Sequence, residues 1–392
     1  MIAMPGMVST FPIVRAYLRT LAGRSAGAFP RWRCAPTVLK PALIRRAVLL
    51  GAAAMLGGCT SAAAPPGIVL RAPGIEDGAF VMADGMGLPY RAWIPDGDPW
   101  AVVLALHGFN DSRDAWALPA PNIAAAGVAV YAPDQRGFGA TAARGLWPGA
   151  DALADDATAM AGVLRRRYPR ARLVLMGESM GGAVLMHLAT RGPVPEVDAM
   201  VLLAPAVWGR AAMNWFMQGG LWLAANFAPG LTVSRPPPGV RIVASDNVEA
   251  LRALGRNPLT IKATRFDTLR GLVGLMDLAL AAGSRFPPLP ALFLYGGKDT
   301  IIPPAATRAT WSALPDDLVQ RGVVRRSFYP GGYHLLPRDL GRAAVIGDIL
   351  AWLRDPVGAL PSRGEAAAVA WLSDARTDER RVIGLPPDGH SG

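Results

Sequence analysis

Short apolar runs bounded by Gly, Pro or Asp recur through the middle of the chain and have the length of β-strands. They occupy residues 78–85, 88–95, 101–108, 128–134, 172–177, 199–205 and 291–297. Between the later runs the apolar spacing becomes helical; within residues 151–165, positions 153, 157, 160, 161 and 164 mark one apolar face. Strands that alternate with helices predict an α/β fold with a mostly parallel sheet covered on both faces.

One of these runs ends in a serine enclosed by glycines, in the sequence LVLMGESMGG at residues 173–182. The residues that follow have helical spacing as far as Gly192. A chain that turns from strand to helix within a few residues strains its central residue and brings the backbone close to its neighbours. Gly177 and Gly181 relieve that crowding, so the G-x-S-x-G spacing predicts a nucleophile elbow with Ser179 at its tip. The alternative role for Ser179 is a helix N-cap.

The alternation of strands and helices is interrupted between residues 207 and 290. The sequence WGRAAMNWFMQGGLWLAANFAPG at residues 208–230 is rich in tryptophan and phenylalanine. We predict a helical cap inserted between two core segments, residues 75–206 and 291–356. These aromatic side chains either pack the cap onto the core or form an acyl-chain passage or a bilayer contact. Residues 357–392, rich in Pro, Gly and charge, are predicted to form a flexible C-terminal tail.

Composition favours a folded chain, since 52% of the 392 residues are hydrophobic and 18% are charged. The formal charge of +11 is unevenly distributed: residues 1–58 hold eight of the 40 basic side chains and none of the 29 acidic ones, which leaves +3 for the rest. The basic balance therefore gives no support to a nucleic-acid partner. The oligomeric state stays open.

Residues 1–58 have the order of an export signal, with basic residues followed by a short apolar core and then small residues. Leu56-Gly57-Gly58-Cys59 resembles the lipobox of bacterial lipoproteins, which implies that Cys59 becomes a lipidated N-terminus followed by a spacer at residues 59–74. The alternative is a buried cysteine in an ordinary apolar segment. The resemblance predicts a lipid-anchored envelope protein, at the outer membrane facing the periplasm because Thr60 rather than aspartate follows the cysteine. Sec and twin-arginine export both stay open.

A serine hydroxyl becomes an effective nucleophile only when a base accepts its proton, and the chain has four histidines. His390 lies two residues from the end, and His187 lies inside the predicted helix after Ser179, where a packing or surface role is expected. His107 precedes a glycine upstream of the serine. His334 lies on a glycine-rich loop after a strand-like run, and it is therefore the predicted base.

The base needs an acid to fix its tautomer. Between Ser179 and His334 the aspartates are Asp198, Asp246, Asp267, Asp277, Asp299, Asp316 and Asp317. Asp299 alone directly follows a strand-like run and a Gly-Gly turn, so it is the predicted acid; the alternatives are an N-cap or a solvated turn residue. Two backbone donors must also stabilise the oxyanion. We predict the N–H groups of Met180, which follows the serine, and of Phe109, in the loop after an earlier strand.

Five ordered motifs, LHGFND, APDQRGFGAT, GESMGG, YGGKDTIIPP and YPGGYH, resemble the monoacylglycerol lipase and lysophospholipase branch of the α/β-hydrolases, which is often labelled serine aminopeptidase-like. The resemblance covers residues 75–356. It implies an α/β-hydrolase fold with a Ser179, Asp299 and His334 triad, and Phe109 and Met180 as oxyanion donors. It also implies that residues 134–139 shape the site. Thr141 departs from the pattern, which often has serine there.

Together these features predict a serine hydrolase that cleaves carboxylic esters of single-chain lipids, of the monoacylglycerol or lysophospholipid type, and that reaches the membrane through its lipid anchor. Nothing in the sequence has the spacing of metal ligands or of a phosphate-binding loop, so we expect no metal and no organic cofactor. Two alternatives stay open: acyl transfer or amide hydrolysis with the same triad, and a non-catalytic lipid-binding envelope protein.

Overall fold

The computed structural model describes residues 63–192, 196–210, 213–234 and 242–382, with side chains as far as residue 374. The predicted export leader, residues 1–58, and the predicted lipidation site, Cys59, lie outside the described residues. No helix in the described ranges combines the length and the apolar character needed to cross a bilayer.

Within the described residues the strands form a nine-stranded sheet and a two-stranded ribbon. The order in the large sheet is β1-β2-β3-β5-β4-β6-β7-β10-β11, and β8 pairs with β9. The strands from β5 to β11 in this order pair in parallel, whereas β1, β2 and β3 are antiparallel additions at one edge. The strand bounds are β1 (Gly74–Glu76), β2 (Ala79–Val81), β3 (Gly87–Trp93), β4 (Ala101–Leu106), β5 (Val128–Pro133), β6 (Arg172–Glu178), β7 (Ala199–Leu203), β8 (Thr232–Val233), β9 (Thr264–Arg265), β10 (Ala291–Gly296) and β11 (Val324–Tyr329).

Helices cover both faces of the sheet. On one face the core includes residues of α2, α3 and α6, and on the other it includes residues of α1 and α9. The helix bounds are α1 (Ala120–Ala125), α2 (Ala150–Arg167), α3 (Met180–Thr190), α4 (Trp215–Phe227), α5 (Val248–Arg256), α6 (Phe266–Ala282), α7 (Pro304–Ala313), α8 (Asp316–Gln320), α9 (Arg342–Arg354) and α10 (Gly364–Val382). This architecture confirms the predicted fold class. The sequence could predict it because strands buried in a parallel sheet have continuous apolar sequences.

The predicted cap differs from the structure at its C-terminal boundary. Residues 207–290 do contain an insertion with α4, α5 and the β8–β9 ribbon. However, α6 packs against α3 and contributes Leu272, Val273, Leu275 and Met276 to the main core. The sequence suggested an insertion as far as residue 290 because α6 is not preceded by a long strand; its burial makes it a core helix.

The prediction of a flexible tail over residues 357–392 is wrong for its first part. Helix α10 lies against β11, with Ala368 and Leu372 buried and the Trp371 ring stacked on Phe328 at a centroid distance of 4.7 Å. The Arg325 Nε donates to a Glu365 carboxylate oxygen at 2.7 Å. The apolar residues recur at helical spacing and bury a face, which outweighs the polar composition. Residues 383–392 of that tail lie outside the described residues.

Candidate active site

Ser179 occupies the sharp turn between the end of β6 and the first residue of α3. Its backbone angles are φ 54° and ψ −114°. Any residue other than glycine is strained in this region. A Cβ at Gly177 would overlap the backbone of Gly181, and a Cβ at Gly181 would overlap the Leu106 carbonyl. The Ser179 side chain makes no capping hydrogen bond to α3, so its geometry is that of an elbow rather than an N-cap.

His334 and Asp299 lie together on two neighbouring loops beyond the carboxyl ends of β10 and β11. The His334 Nδ1 and the Asp299 Oδ2 are 2.7 Å apart, and both side chains are buried. The other carboxylate oxygen of Asp299 accepts the backbone N–H groups of Ile301 and Ile302 at 2.7 and 2.9 Å. Asp299 therefore orders its own turn with one oxygen and orients the imidazole with the other, which is the arrangement that holds a catalytic base in one tautomer.

Burial disfavours the imidazolium form of His334, but the charge of Asp299, its hydrogen bond and the charge of Glu178 together outweigh burial and raise the pKa of His334 above its usual value. The charge of Arg338 opposes this rise. The site thus favours a protonated imidazole, the species that forms when the base accepts a proton from the serine.

The predicted oxyanion donors lie on either side of the elbow. Met180 is the first residue of α3, where the backbone N–H has no acceptor within the helix. Phe109 follows Gly108, and a Cβ at Gly108 would lie 3.4 Å from the Ser179 Cβ, so the loop after β4 passes directly beside the serine. Among the described residues no acceptor is found for the Phe109 N–H.

The loop at residues 134–139 packs against the loop after β4 that carries Phe109, which we call the oxyanion loop. Asp134 is fully buried and accepts the backbone N–H groups of Arg113 and Ala140 at 2.7 and 2.8 Å. The ring of Phe138 meets Phe109 edge to face, with the centroids 5.6 Å apart. These contacts shape the site without bringing a reactive group to it, as the sequence predicted.

Two other histidines have structural partners. The His107 Nε2 accepts the Gln135 backbone N–H at 3.0 Å, and burial lowers the pKa of His107, which keeps the ring neutral. The His187 Nε2, on α3, lies 2.8 Å from a carboxylate oxygen of Asp151 on α2; the His187 side chain is largely buried and Asp151 is exposed. The contact of His187 agrees with the packing or surface role expected for it; no role was predicted for His107. His390 lies outside the described residues.

Sequence reasoning missed a buried ion cluster next to the elbow, formed by Glu178, Arg338 and Asp111 and called the Arg338 cluster below. The Arg338 guanidinium donates to an Asp111 carboxylate oxygen at 2.8 Å and also to Glu178. Each of the three side chains exposes no more than 7% of its surface. The only sequence signal was position: Glu178 precedes the serine, and Arg338 follows the histidine by four residues.

Helix α4 of the cap carries most of the aromatic residues singled out in the sequence, and their large side chains face outwards. Trp215 is 72% exposed, Phe216 is 69% exposed and Trp222 is 58% exposed. The alternative that these side chains simply pack the cap onto the core is therefore wrong for α4. Trp208, by contrast, is partly buried against the core.

Comparison with known proteins agrees with this geometry. Residues 97–341 match the family model for serine aminopeptidase, S33. The chain belongs to this family. It is similar to a monoacylglycerol lipase of Mycolicibacterium smegmatis, at 27% identity over 70% of this chain and 95% of the relative, and to a monoglyceride lipase of Mus musculus, at 25% identity over 71% and 91%.

Among solved structures, a soluble variant of monoglyceride lipase from Saccharomyces cerevisiae in complex with a substrate analog has a TM-score of 0.60. It is 19% identical, and the match covers 76% of this chain and all of that chain, which supports the shared fold. The comparisons confirm the predicted resemblance to the monoacylglycerol lipase branch and the prediction of an ester hydrolase.

Proposed function

We propose that this S33 family member hydrolyses carboxylic esters of single-chain lipids, such as monoacylglycerols or lysophospholipids, with Ser179, His334 and Asp299 as its catalytic triad. The observation that carries the proposal is the 2.7 Å His334–Asp299 hydrogen bond on loops next to the strained serine elbow. A non-catalytic lipid carrier has no need for that combination, and backbone strain of this kind persists only where the surrounding structure enforces it.

In the proposed reaction the Ser179 Oγ attacks the ester carbonyl while His334 Nε2 accepts the hydroxyl proton. The negative charge that develops on the carbonyl oxygen is stabilised by the N–H groups of Phe109 and Met180. The C–O bond to the alcohol then breaks, His334 returns its proton to the leaving alkoxide, and an acyl-serine forms. Water, deprotonated by His334, attacks the acyl carbonyl; the bond between that carbon and the Ser179 Oγ breaks, His334 returns the proton to Oγ, and the fatty acid and the free enzyme are released.

The substrate class rests on the exposed apolar surface of α4 together with the similarity to monoacylglycerol lipases. Trp215, Phe216 and Trp222 present a surface that can enter a lipid interface or contact an acyl chain. Each buried methylene is worth about 0.8 kcal/mol, so longer monoacyl esters should exceed acetate in kcat/KM by well over tenfold. We also propose that lipid on Cys59 holds the mature protein at the membrane, at the outer membrane of a cell that has one.

The test compares the unmodified protein with Ser179→Ala and His334→Ala. We expect each variant to lose hydrolysis by a factor on the order of a thousand or more, and Ser179→Ala also to lose labelling by a fluorophosphonate probe. His187→Gln is the matched control, because His187 is a largely buried histidine that pairs with the exposed Asp151 and has no part in the proposed triad, so the substitution should leave the rate unchanged.

Normal turnover by Ser179→Ala would contradict the proposed nucleophile. A wild-type protein that neither hydrolyses esters nor reacts with the probe would favour the non-catalytic alternative. If p-nitrophenyl acetate were cleaved faster than the octanoate and longer esters under matched soluble conditions, the substrate class would be wrong even with the triad intact.

A further inference from the structure

The Arg338 cluster joins the three loops that the proposed mechanism needs. Glu178 immediately precedes the nucleophile in the chain. Arg338 lies four residues after His334, and Asp111 lies two residues after the oxyanion donor Phe109. One guanidinium bridges the two carboxylates. Because the guanidinium is planar and its N–H groups point in fixed directions, it holds the two carboxylates in a fixed relative position, which a lysine ammonium does not.

Stability is a poor explanation for this arrangement. Removing three charges from water is costly, and buried ion pairs are often no more stable than apolar residues of the same volume. The cluster is also incompletely paired, since within the described part of the chain the Glu178 Oε1 and the Arg338 Nε are buried without a hydrogen-bond partner. An unsatisfied buried polar atom costs free energy, which suggests a role other than holding the fold together.

The charges of the cluster act on His334. Burial raises the pKa of Glu178, and the charge of Arg338 opposes that rise. In its ionised form the Glu178 carboxylate places a negative charge near an imidazole that becomes positive during the reaction. The other charged groups that face His334 are its partner Asp299 and Asp339, whose side chain accepts the Tyr333 backbone N–H at 2.7 Å. The three acidic groups around His334 are therefore Asp299, Asp339 and Glu178, and Glu178 is the one that precedes Ser179 in the chain.

On the basis of the proposed function, we propose that Glu178, Arg338 and Asp111 are positioning residues. Arg338 fixes the elbow and the oxyanion loop relative to the loop that carries His334. Glu178 stabilises the imidazolium of His334. Two substitutions separate these contributions. Glu178→Gln keeps the shape and removes the charge. Arg338→Lys keeps the charge and removes the bidentate geometry.

The experiment measures the titration of the His334 imidazole by NMR, assigned with His334→Asn, together with kcat and KM against pH on a soluble p-nitrophenyl ester. In Glu178→Gln we expect the pKa of His334 to fall by about half a unit or more, and the acid limb of the rate profile to move with it. In Arg338→Lys we expect kcat to fall on the order of tenfold or more with KM nearly unchanged, and the acid limb to stay in place.

Glu365→Gln is the matched control, because it removes a carboxylate from another arginine pair, on α10. It should move neither the titration nor kcat. Thermal unfolding establishes that each variant is folded. Coincident His334 titrations in wild type and Glu178→Gln, or full kcat in Arg338→Lys, would overturn the inference. A shifted titration in a protein without Ser179-dependent hydrolysis would instead count against the proposed function, because the NMR measurement does not require turnover.

Discussion

In the proposed triad one side chain, Asp299, serves both the backbone and the chemistry. Its Oδ1 accepts two backbone N–H groups of its own turn, and its Oδ2 faces His334. In the proposed mechanism the first contact fixes the carboxylate, so the second holds the imidazole with the proton on Nδ1 and leaves Nε2 free to accept the serine proton. The carboxylate is also the main reason that the pKa of His334 exceeds its usual value despite burial.

This arrangement predicts the pH dependence of the reaction. The base must be neutral to accept a proton, so kcat/KM should rise with pH through the pKa of His334, at a midpoint above the ordinary histidine value of about 6.5. In Asp299→Asn the side-chain carbonyl can keep the two backbone contacts while the NH₂ group faces Nδ1 and favours the wrong tautomer. We expect kcat to fall by about 10³ to 10⁴ and the acid limb to move to lower pH.

The measurement is a kcat/KM profile for both proteins, with circular dichroism and thermal unfolding as the control for folding. An acid limb that stays in place when Asp299 loses its charge would show that His334 is not the group that titrates. Undiminished kcat in Asp299→Asn would exclude Asp299 as the orienting acid.

The elements that the sequence predicted best are those in which local pattern and tertiary burial agree. The apolar runs at residues 101–108, 128–134, 172–177, 199–205 and 291–297 are buried strands of the parallel sheet, and 78–85 and 88–95 overlap β2 and β3 at its edge. The periodicity of apolar residues was a weaker predictor for a helix that buries only a narrow face. Helix α10 carries many charged residues, yet Ala368, Trp371 and Leu372 and the Arg325–Glu365 ion pair pack it against β11.

The residues that escaped prediction depend on contacts between distant parts of the chain. Asp156 is not among the positions that mark the predicted apolar face of α2, but it is buried and accepts a hydrogen bond from the Arg136 Nε at 2.7 Å. Arg338 contacts Glu178, 160 positions away, and Asp111, 227 positions away. Motif order identified Ser179 and His334 because their chemistry repeats in a family. Local periodicity carries no information on which distant charges meet in the interior.

Helix α4 gives a prediction at the scale of an element. No residue between Trp215 and Phe227 is charged, and the side chains of Trp215 and Trp222 are largely exposed. Exposed apolar area is worth about 25 cal/mol per Å² when it leaves water. Replacing both tryptophans by serine should therefore lower binding to phospholipid vesicles, and hydrolysis of monoacyl esters carried in them, by about tenfold or more.

Hydrolysis of a short, fully soluble ester should change less than twofold in the same variant, because α4 is outside the triad. Val369→Ser, which alters an exposed apolar side chain on α10, is the matched control and should leave both measurements unchanged. Vesicle binding and chain-length preference that stay at the wild-type level in the double variant would show that α4 contacts neither bilayer nor acyl chain.

At the scale of the whole molecule, the net charge depends on residues 1–58, and the proposed attachment to the membrane depends on Cys59, which follows them. The +11 charge falls to +3 if residues 1–58 are removed, so electrostatic attraction to anionic lipid would be weak in the mature protein. A stable attachment must then come from apolar groups. The exposed face of α4 offers some of this area, and the proposed lipid on Cys59 would supply much more.

The last prediction is that the mature protein begins at Cys59, carries lipid there and fractionates with membranes. A single acyl chain gives only marginal binding, at about 0.8 kcal/mol per buried CH₂, whereas the two or three chains of a bacterial lipoprotein hold it firmly. Cys59→Ser should therefore release the protein into the soluble fraction while its activity on soluble esters is retained, because the triad lies far along the chain. Mass spectrometry of the N-terminal peptide and fractionation on a density gradient check both parts. An unlipidated N-terminus at another residue would refute the anchor, and continued membrane attachment of Cys59→Ser would assign the attachment to α4 instead.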